Sequence, residues 1–216
     1  MTVIRFLFPA VLGYLLGSVN LSLIVTKYIG KFDITKRGSG NAGGTNVVRT
    51  MGFKWGATTI LLEIVKYIIA GLIAQYIFPT QLLGIFGELE TQIVGLYTML
   101  FCMIGNVLPV FCKFKGGKGV SAIGAMILLF DWRIALICYA IFAIVLFASH
   151  TVSMGSLLAS LTGAILTCLF YAPRPYWWVA AILVTVMVAI VWIRHISNIK
   201  RLLTGTENKF NFGKKK

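Results

Sequence analysis

Long apolar runs, parted by short polar stretches, constrain this fold more than any motif does. They lie near residues 4–28, 55–79, 92–112, 119–130, 133–149, 152–172 and 176–194. Crossing the hydrocarbon of a bilayer takes about 20 mostly apolar residues, fewer where neighbours shield the helix, and only the fourth run is short by that measure. A chain of 216 residues with 58% hydrophobic and 12% charged residues has too little polar surface to cover a soluble globule. The expectation is an all-α integral membrane protein: one domain over 1–216, with seven transmembrane helices and short re-entrant or interfacial helices on the cytoplasmic side. The run behind Arg5 is kept as the first span because no small-x-small cleavage site with a polar mature region follows it.

Charge then orients the bundle. The chain has 20 Lys and Arg against 6 Asp and Glu, scattered between apolar runs rather than gathered in one patch, which argues against nucleic acid. Three polar segments carry most of the bases: Lys27, Lys31, Lys36, Arg37, Arg49 and Lys54 in the first; Lys113, Lys115 and Lys118 in the second; Arg194, Lys200, Arg201, Lys209, Lys214, Lys215 and Lys216 in the tail. Seven crossings put all three on one face, with Arg5, Glu88, Glu90, Asp131, Arg133 and Arg174 on the other. The positive-inside rule makes the basic face cytoplasmic, leaving the N-terminus outside and the C-terminus inside. The turn at Asp131–Arg133 decides the count, since one continuous span there would leave six.

The same topology gathers four polar segments on the cytoplasmic side. The first, GSGNAGGTNVVR at 38–49, offers Ser39, Asn41, Thr45 and Asn46 as hydrogen-bonding groups, Arg49 as a fixed charge, and glycines that let N–H groups converge on an anion. Such a stretch also reads as a flexible connection. Residues 41–51 are expected to form a short helix with Val47, Val48 and Met51 facing lipid or protein and Arg49 turned elsewhere. The second segment, Gly116-Gly117-Lys118-Gly119, puts a lysine on a glycine turn ahead of a helix N-terminus. It is not a Walker A loop, because Gly119 stands where Ser or Thr is required, but it offers charge and free N–H groups to phosphate. The third begins at His150, where Ser153, Ser156, Ser160 and Gly163 share a helix face; such a stripe reads as tight packing, and the two nearest the cytoplasm, Ser153 and Ser156, could also serve a ligand. In the tail, His195 and Asn198 at i, i+3 point together, while Lys200 and Arg201 are expected at lipid headgroups.

Other features read as packing. Gly13 and Gly17 give a close-approach GxxxG spacing in the first span. Cys102, Cys112, Cys138 and Cys168 sit in apolar runs without metal-ligand spacing and are expected to be buried thiols; no metal or cofactor is called for. Glu63 and Lys66 at i, i+3 within the second span are either a structural ion pair or a substrate contact.

Taken in order, GS at 17–18, GSGNAGGTNVVRTMG at 38–52, PVFCKFKGGKGV at 109–120, SMGS at 153–156 and RHISNIKRLLTGTENKF at 194–210 resemble the bacterial membrane glycerol-3-phosphate acyltransferases that use acyl phosphate as donor, the PlsY family. The likeness covers essentially the whole chain. It implies a seven-helix fold in the bacterial plasma membrane and acylation of the 1-hydroxyl of sn-glycerol 3-phosphate, giving lysophosphatidic acid for phospholipid synthesis. It also implies a soluble enzyme supplying acyl phosphate as a further partner. By this resemblance Ser39, Arg49 and Lys118 match residues that hold phosphate, and Ser153, His195 and Asn198 match others lining the site. This chain departs from the family at Asn106, where His is usual, at Gly44, where Ala is usual, and at Asn20, often Pro or Thr.

Acyl phosphate is a mixed anhydride with a good leaving group, so such a site need mainly align a hydroxyl and neutralise charge. Neither His150 nor His195 starts a His-x4-Asp motif, and no dedicated side-chain base is expected; a donor phosphate oxygen takes the proton. The rival reading is a small-anion membrane transporter or channel, which would share the basic vestibule but shows no internal repeat of the kind many transporters carry. A structural lipid-binding subunit would explain the basic face and not the two glycine motifs.

Overall fold

The computed structural model describes residues 2–77 and 90–210, and only the backbone of residues 2–5 and Glu90. Glu88 and Lys214 to Lys216, used above for orientation, fall outside it. The described residues form ten α-helices and no strand: α1 Thr2–Ser18, α2 Leu21–Tyr28, α3 Gly44–Met51, α4 Phe53–Ile77, α5 Glu90–Val107, α6 Val120–Phe130, α7 Trp132–Ser149, α8 Val152–Tyr171, α9 Trp177–Arg194 and α10 Ile196–Leu203. Among the described residues, six stretches are long and apolar enough to cross a membrane: α1 with α2, then α4, α5, α7, α8 and α9. Their outward surfaces carry Leu61, Ile69, Ile144, Phe147, Leu169 and Ile193, as lipid-facing helices do.

The expected first span, 4–28, is not one continuous helix. It breaks at Val19–Asn20, where Asn20 caps α2 by accepting the Leu23 N–H at 3.0 Å. The fourth expected span is α6, whose 11 residues reach about 16 Å and fall short of the hydrocarbon thickness. α6 does not run on into α7. Asp131 is extended at the junction, and Tyr139 in α7 donates its hydroxyl to the Gly124 carbonyl in α6 at 2.9 Å, so the two lie side by side as a hairpin.

α5 is the central post. Gly13 and Gly17 of α1 lie against it so closely that a Cβ on either would run into the backbone at Thr98 or Cys102, which bears out the packing reading of that spacing. Met99, Met103, Met126 and Met187, drawn from α5, α6 and α9, fill the middle of the core with Tyr67 and Ile134. Cys102 and Cys138 are buried as expected, but Cys112 and Cys168 are only partly so. A second, smaller cluster of Val25, Ile34, Ala42 and Val47 seats α3 under the glycine-rich loop.

Candidate functional site

The first wall is the loop before α3, and one side chain laces it together. Asn46, 1% exposed, donates its amide N–H groups to the carbonyls of Ile34, Arg37 and Asn41 at 3.3, 2.9 and 3.0 Å and accepts the Ser39 N–H at 2.9 Å. With four bonds to the backbone around it, the buried Asn46 side chain holds the loop's shape from within. α3 follows with Val47 buried and Arg49 turned away, the orientation expected for residues 41–51, and Arg49 approaches the Asn208 carbonyl at 3.5 Å.

Three further walls meet it. Beyond α5 the chain makes a short 3-10 turn at Val110–Cys112 and comes back through the Gly116–Gly119 turn, with the Gly117 N–H donated to the Asn106 carbonyl at 3.0 Å. Gly119 caps α6 with a φ of 78°, a left-handed backbone that a side chain would strain. This turn swings Lys118 across to donate to Asn198 Oδ1 in α10. From the start of α8, Ser153 Oγ donates to Glu207 Oε1 at 3.0 Å. After α10 the tail doubles back, fixed by the Phe210 N–H on the His150 carbonyl at 2.6 Å.

Glu207 is the residue that sequence reasoning missed. Its carboxylate accepts from Ser153, from Asn198 Nδ2 at 2.7 Å and from Arg201 Nε at 2.8 Å. The signal was there: Glu207 is the only acidic residue after Asp131, in a tail full of bases. Arg201, expected at lipid headgroups, instead makes this inward ion pair. Burial alone would raise the Glu207 carboxyl, but the hydrogen bonds from Asn198, Arg201 and Ser153 outweigh it and hold the group below the usual carboxylate range.

The cations nearby are under strain of a different kind. Burial pulls the Lys118 ammonium down to about 8; Glu207 pulls the other way, while Arg201, Arg49 and Arg194 repel its charge. Burial also lowers Arg49. His195 is pulled down to about 4 by burial and then by Lys118, so its ring is neutral. Its Nδ1 lies 2.7 Å from the Val191 carbonyl, which can only accept; the proton is therefore on Nδ1, and Nε2 is an acceptor.

These elements enclose a cavity of about 290 Å³. Of the residues singled out from sequence, Ser39, Asn41, Thr45, Asn46, Arg49, Gly117, Lys118, Gly119, Ser153, Ser156, His195 and Asn198 all line it. Gly116 does not; it packs behind the turn against the Asn106 backbone and Pro109. From this polar end a mainly apolar arm runs down between α4, α6, α7 and α8, past Ile60, Ile64, Ile123, Ile127, Tyr139 and Phe142, with Glu63 of α4 also in its lining. A cation-rich mouth joined to an apolar slot suits a molecule with an anionic head and a hydrocarbon tail.

Three comparisons bear on this geometry. Residues 7–205 match the family model described as glycerol-3-phosphate acyltransferase. The chain is 37% identical over 217 residues to a protein of that name from Clostridioides difficile (strain 630), covering 100% of both, and 38% identical over 201 residues to one from Mesorhizobium japonicum (strain LMG 29417 / CECT 9101 / MAFF 303099), covering 92% of this chain and 93% of the relative. Among solved structures it superposes on PlsY (YgiH), an integral membrane glycerol 3-phosphate acyltransferase. The TM-score to the glycerol 3-phosphate form is 0.82 at 32% identity, covering 95% of this chain and 96% of the other. To the lysophosphatidic acid form it is 0.79 at 32% identity, with 95% of each covered.

Proposed function

The chain belongs to the glycerol-3-phosphate acyltransferase family, and from that premise we propose that its cavity transfers an acyl group from acyl phosphate to the 1-hydroxyl of sn-glycerol 3-phosphate. The hydroxyl oxygen attacks the acyl carbonyl, the bond from that carbon to the phosphate oxygen breaks, and the hydroxyl proton passes to a phosphate oxygen of the donor. Lysophosphatidic acid and inorganic phosphate leave. The observation that carries this reading is the junction of two chemistries in one cavity: Lys118, Arg49, Ser39 and Ser153 at its mouth, and the apolar arm below them.

The roles divide by charge and reach. Arg49 and Lys118 neutralise the phosphates, with the hydroxyls of Ser39 and Ser153 and the N–H groups of the glycine turns completing their coordination. Asn41, Thr45 and Ser156 line the space between. Asn46 and Asn198 hold shape, the first by lacing the loop and the second by tying Lys118 to Glu207. His195, neutral with a bare Nε2, orients the attacking hydroxyl by accepting its hydrogen bond; a ring held near 4 is too weak a base to keep the proton. The acyl chain lies in the arm between α4, α6, α7 and α8.

The domain spans residues 1–216 in the bacterial plasma membrane, N-terminus outside, with the cavity opening to the cytoplasm, where a soluble enzyme supplies acyl phosphate. Support for seven crossings comes from the α6–α7 hairpin, in which α6 is a separate, short apolar helix packed against α4, α5 and α7. The deciding experiment gives purified protein glycerol 3-phosphate with acyl phosphate and, separately, with acyl-CoA. Lysophosphatidic acid is expected only from acyl phosphate; turnover with acyl-CoA alone would overturn the donor assignment.

A further inference from the structure

The break between α1 and α2 is costly where it lies. A helix that stops within a membrane span strands a carbonyl on one side and an N–H on the other, and lipid supplies neither partner. Here one ion pair from α4 supplies both. Lys66 Nζ donates to the Val19 carbonyl at 2.6 Å, Glu63 Oε1 accepts the Leu21 N–H at 2.7 Å, and the two side chains bond each other at 2.7 Å. An unbroken helix would need no such pair, and two buried charges stabilise a fold less than well-packed apolar residues do. The arrangement must therefore serve what the break permits.

What it permits is Asn20. That side chain, 1% exposed, caps α2 with its oxygen and donates its Nδ2–H to the Ala42 carbonyl at 3.1 Å. Ala42 belongs to the glycine-rich loop, and its carbonyl faces Gly117 of the second turn. A Cβ on Gly117 would lie 3.2 Å from that carbonyl and 2.8 Å from Asn106 Oδ1, so the two loops touch there with no room for a side chain. The link runs unbroken from Glu63 and Lys66 through the helix break and Asn20 to the joint between the two loops that carry Ser39 and Lys118.

We propose that Glu63 and Lys66 are positioning residues: the intramembrane pair sets the α1–α2 break and, through Asn20, holds the two glycine loops at the spacing that binds glycerol 3-phosphate. This rests on the proposed acceptor. The pair touches backbone on both sides, so its direction matters as well as its charge. Lysine at 63 could not accept from Leu21, nor could glutamate at 66 donate to Val19.

The test compares Glu63→Ala, Glu63→Gln, Lys66→Met and the exchanged pair Glu63→Lys/Lys66→Glu in the full-length protein. Losing one charged hydrogen bond at the helix break, and with it the placing of Asn20, should raise KM for glycerol 3-phosphate about tenfold in Glu63→Ala and Lys66→Met, with kcat within about threefold of wild type. Glu63→Gln keeps the acceptor for Leu21 and should recover most of the KM. The exchanged pair should not. Adding Asn20→Ala to Glu63→Ala should change KM little further, because both act along one link. Hydrogen exchange gives a reading independent of turnover: the amides of residues 38–46 should exchange faster in Glu63→Ala while those of α5 do not. Unchanged exchange in that loop, full recovery by the exchanged pair, or a loss confined to kcat would each overturn the proposal. Absence of turnover in wild type with faster loop exchange in Glu63→Ala would overturn the acceptor reading and leave the positioning link standing.

Discussion

Two carboxylates, at opposite ends of the bundle, have nearly the same neighbours and different surroundings. Asp131, at the α6–α7 turn, accepts from Arg133 at 2.7 Å and from the Tyr171 hydroxyl at 3.1 Å, and it caps α7 through the Arg133 N–H at 2.9 Å. Glu207 likewise accepts from an arginine and a hydroxyl, with an amide added. The difference lies in what stands beyond that ring. Arg133 is 55% exposed along its side chain, so solvent screens it and one negative group suffices. Around Glu207 stand Lys118, half-buried, and Arg49, more exposed, and desolvation lowers both. Balanced charge makes a helix cap; surplus charge of one sign, gathered at a cavity, makes a binding site for its opposite.

Substitution at the two ends separates these roles. Lys118→Met removes the surplus itself and should cut kcat/KM for glycerol 3-phosphate at least about a hundredfold, as loss of a charged contact present in the transition state does. Glu207→Gln keeps the shape but weakens three charge-assisted hydrogen bonds that hold Ser153, Asn198 and Arg201, and should cost about tenfold in activity. Asp131→Asn remains a good helix cap and should lower the melting temperature by a few degrees, with activity within about twofold of wild type. Loss of activity in Asp131→Asn at normal stability would break the comparison.

Acid and base sharpen it further. Lys118 is held at about 8, so its charge is complete below that pH and is lost as pH rises through it. Bound phosphate favours the charged form, so the effect belongs to the free enzyme: kcat/KM for glycerol 3-phosphate should fall above pH 8 by up to about tenfold per unit. Lys118→Arg, which keeps its proton, should flatten that limb. His195, held near 4, is neutral throughout this range, and a limb between pH 6 and 7 that vanished in His195→Gln would contradict its neutral role.

Much of this was legible in the residues, for identifiable reasons. Apolar run length marked the helices because lipid demands it, and Lys118, Ser153 and Asn198 were visible because their polar chemistry interrupts that demand. The break at Val19–Asn20 was not, since Ser18, Asn20 and Ser22 punctuate the run there but such groups equally serve hydrogen bonds between unbroken helices, and the partners that permit the break lie over 40 positions away in α4. Glu207 escaped for a related reason. Its sign is opposite to that of the site, and only the fold-back of the tail shows that it organises the cations. Lys118 and Arg201 were assigned to different surroundings from sequence, although both meet Glu207 and its partners through α10.

The apolar arm offers the smallest test, because it asks about shape with charge left alone. Gly163 in α8 faces Ile127 and Cys138, both in the lining of the arm, and a Cβ built on it would lie 2.6 Å from Ile127 Cδ1. Gly163→Ala must therefore push that isoleucine toward the slot, while a helical alanine in place of glycine does not harm α8 itself. The mouth with Arg49 and Lys118 is left as it was. If the arm holds the acyl chain, the ratio of rates with long and short acyl phosphates should fall by about fourfold per methylene excluded, with KM for glycerol 3-phosphate unchanged. A uniform fall across chain lengths would show that the chain leaves the bundle before it reaches Ile127, and the slot would then have no part in selecting the donor.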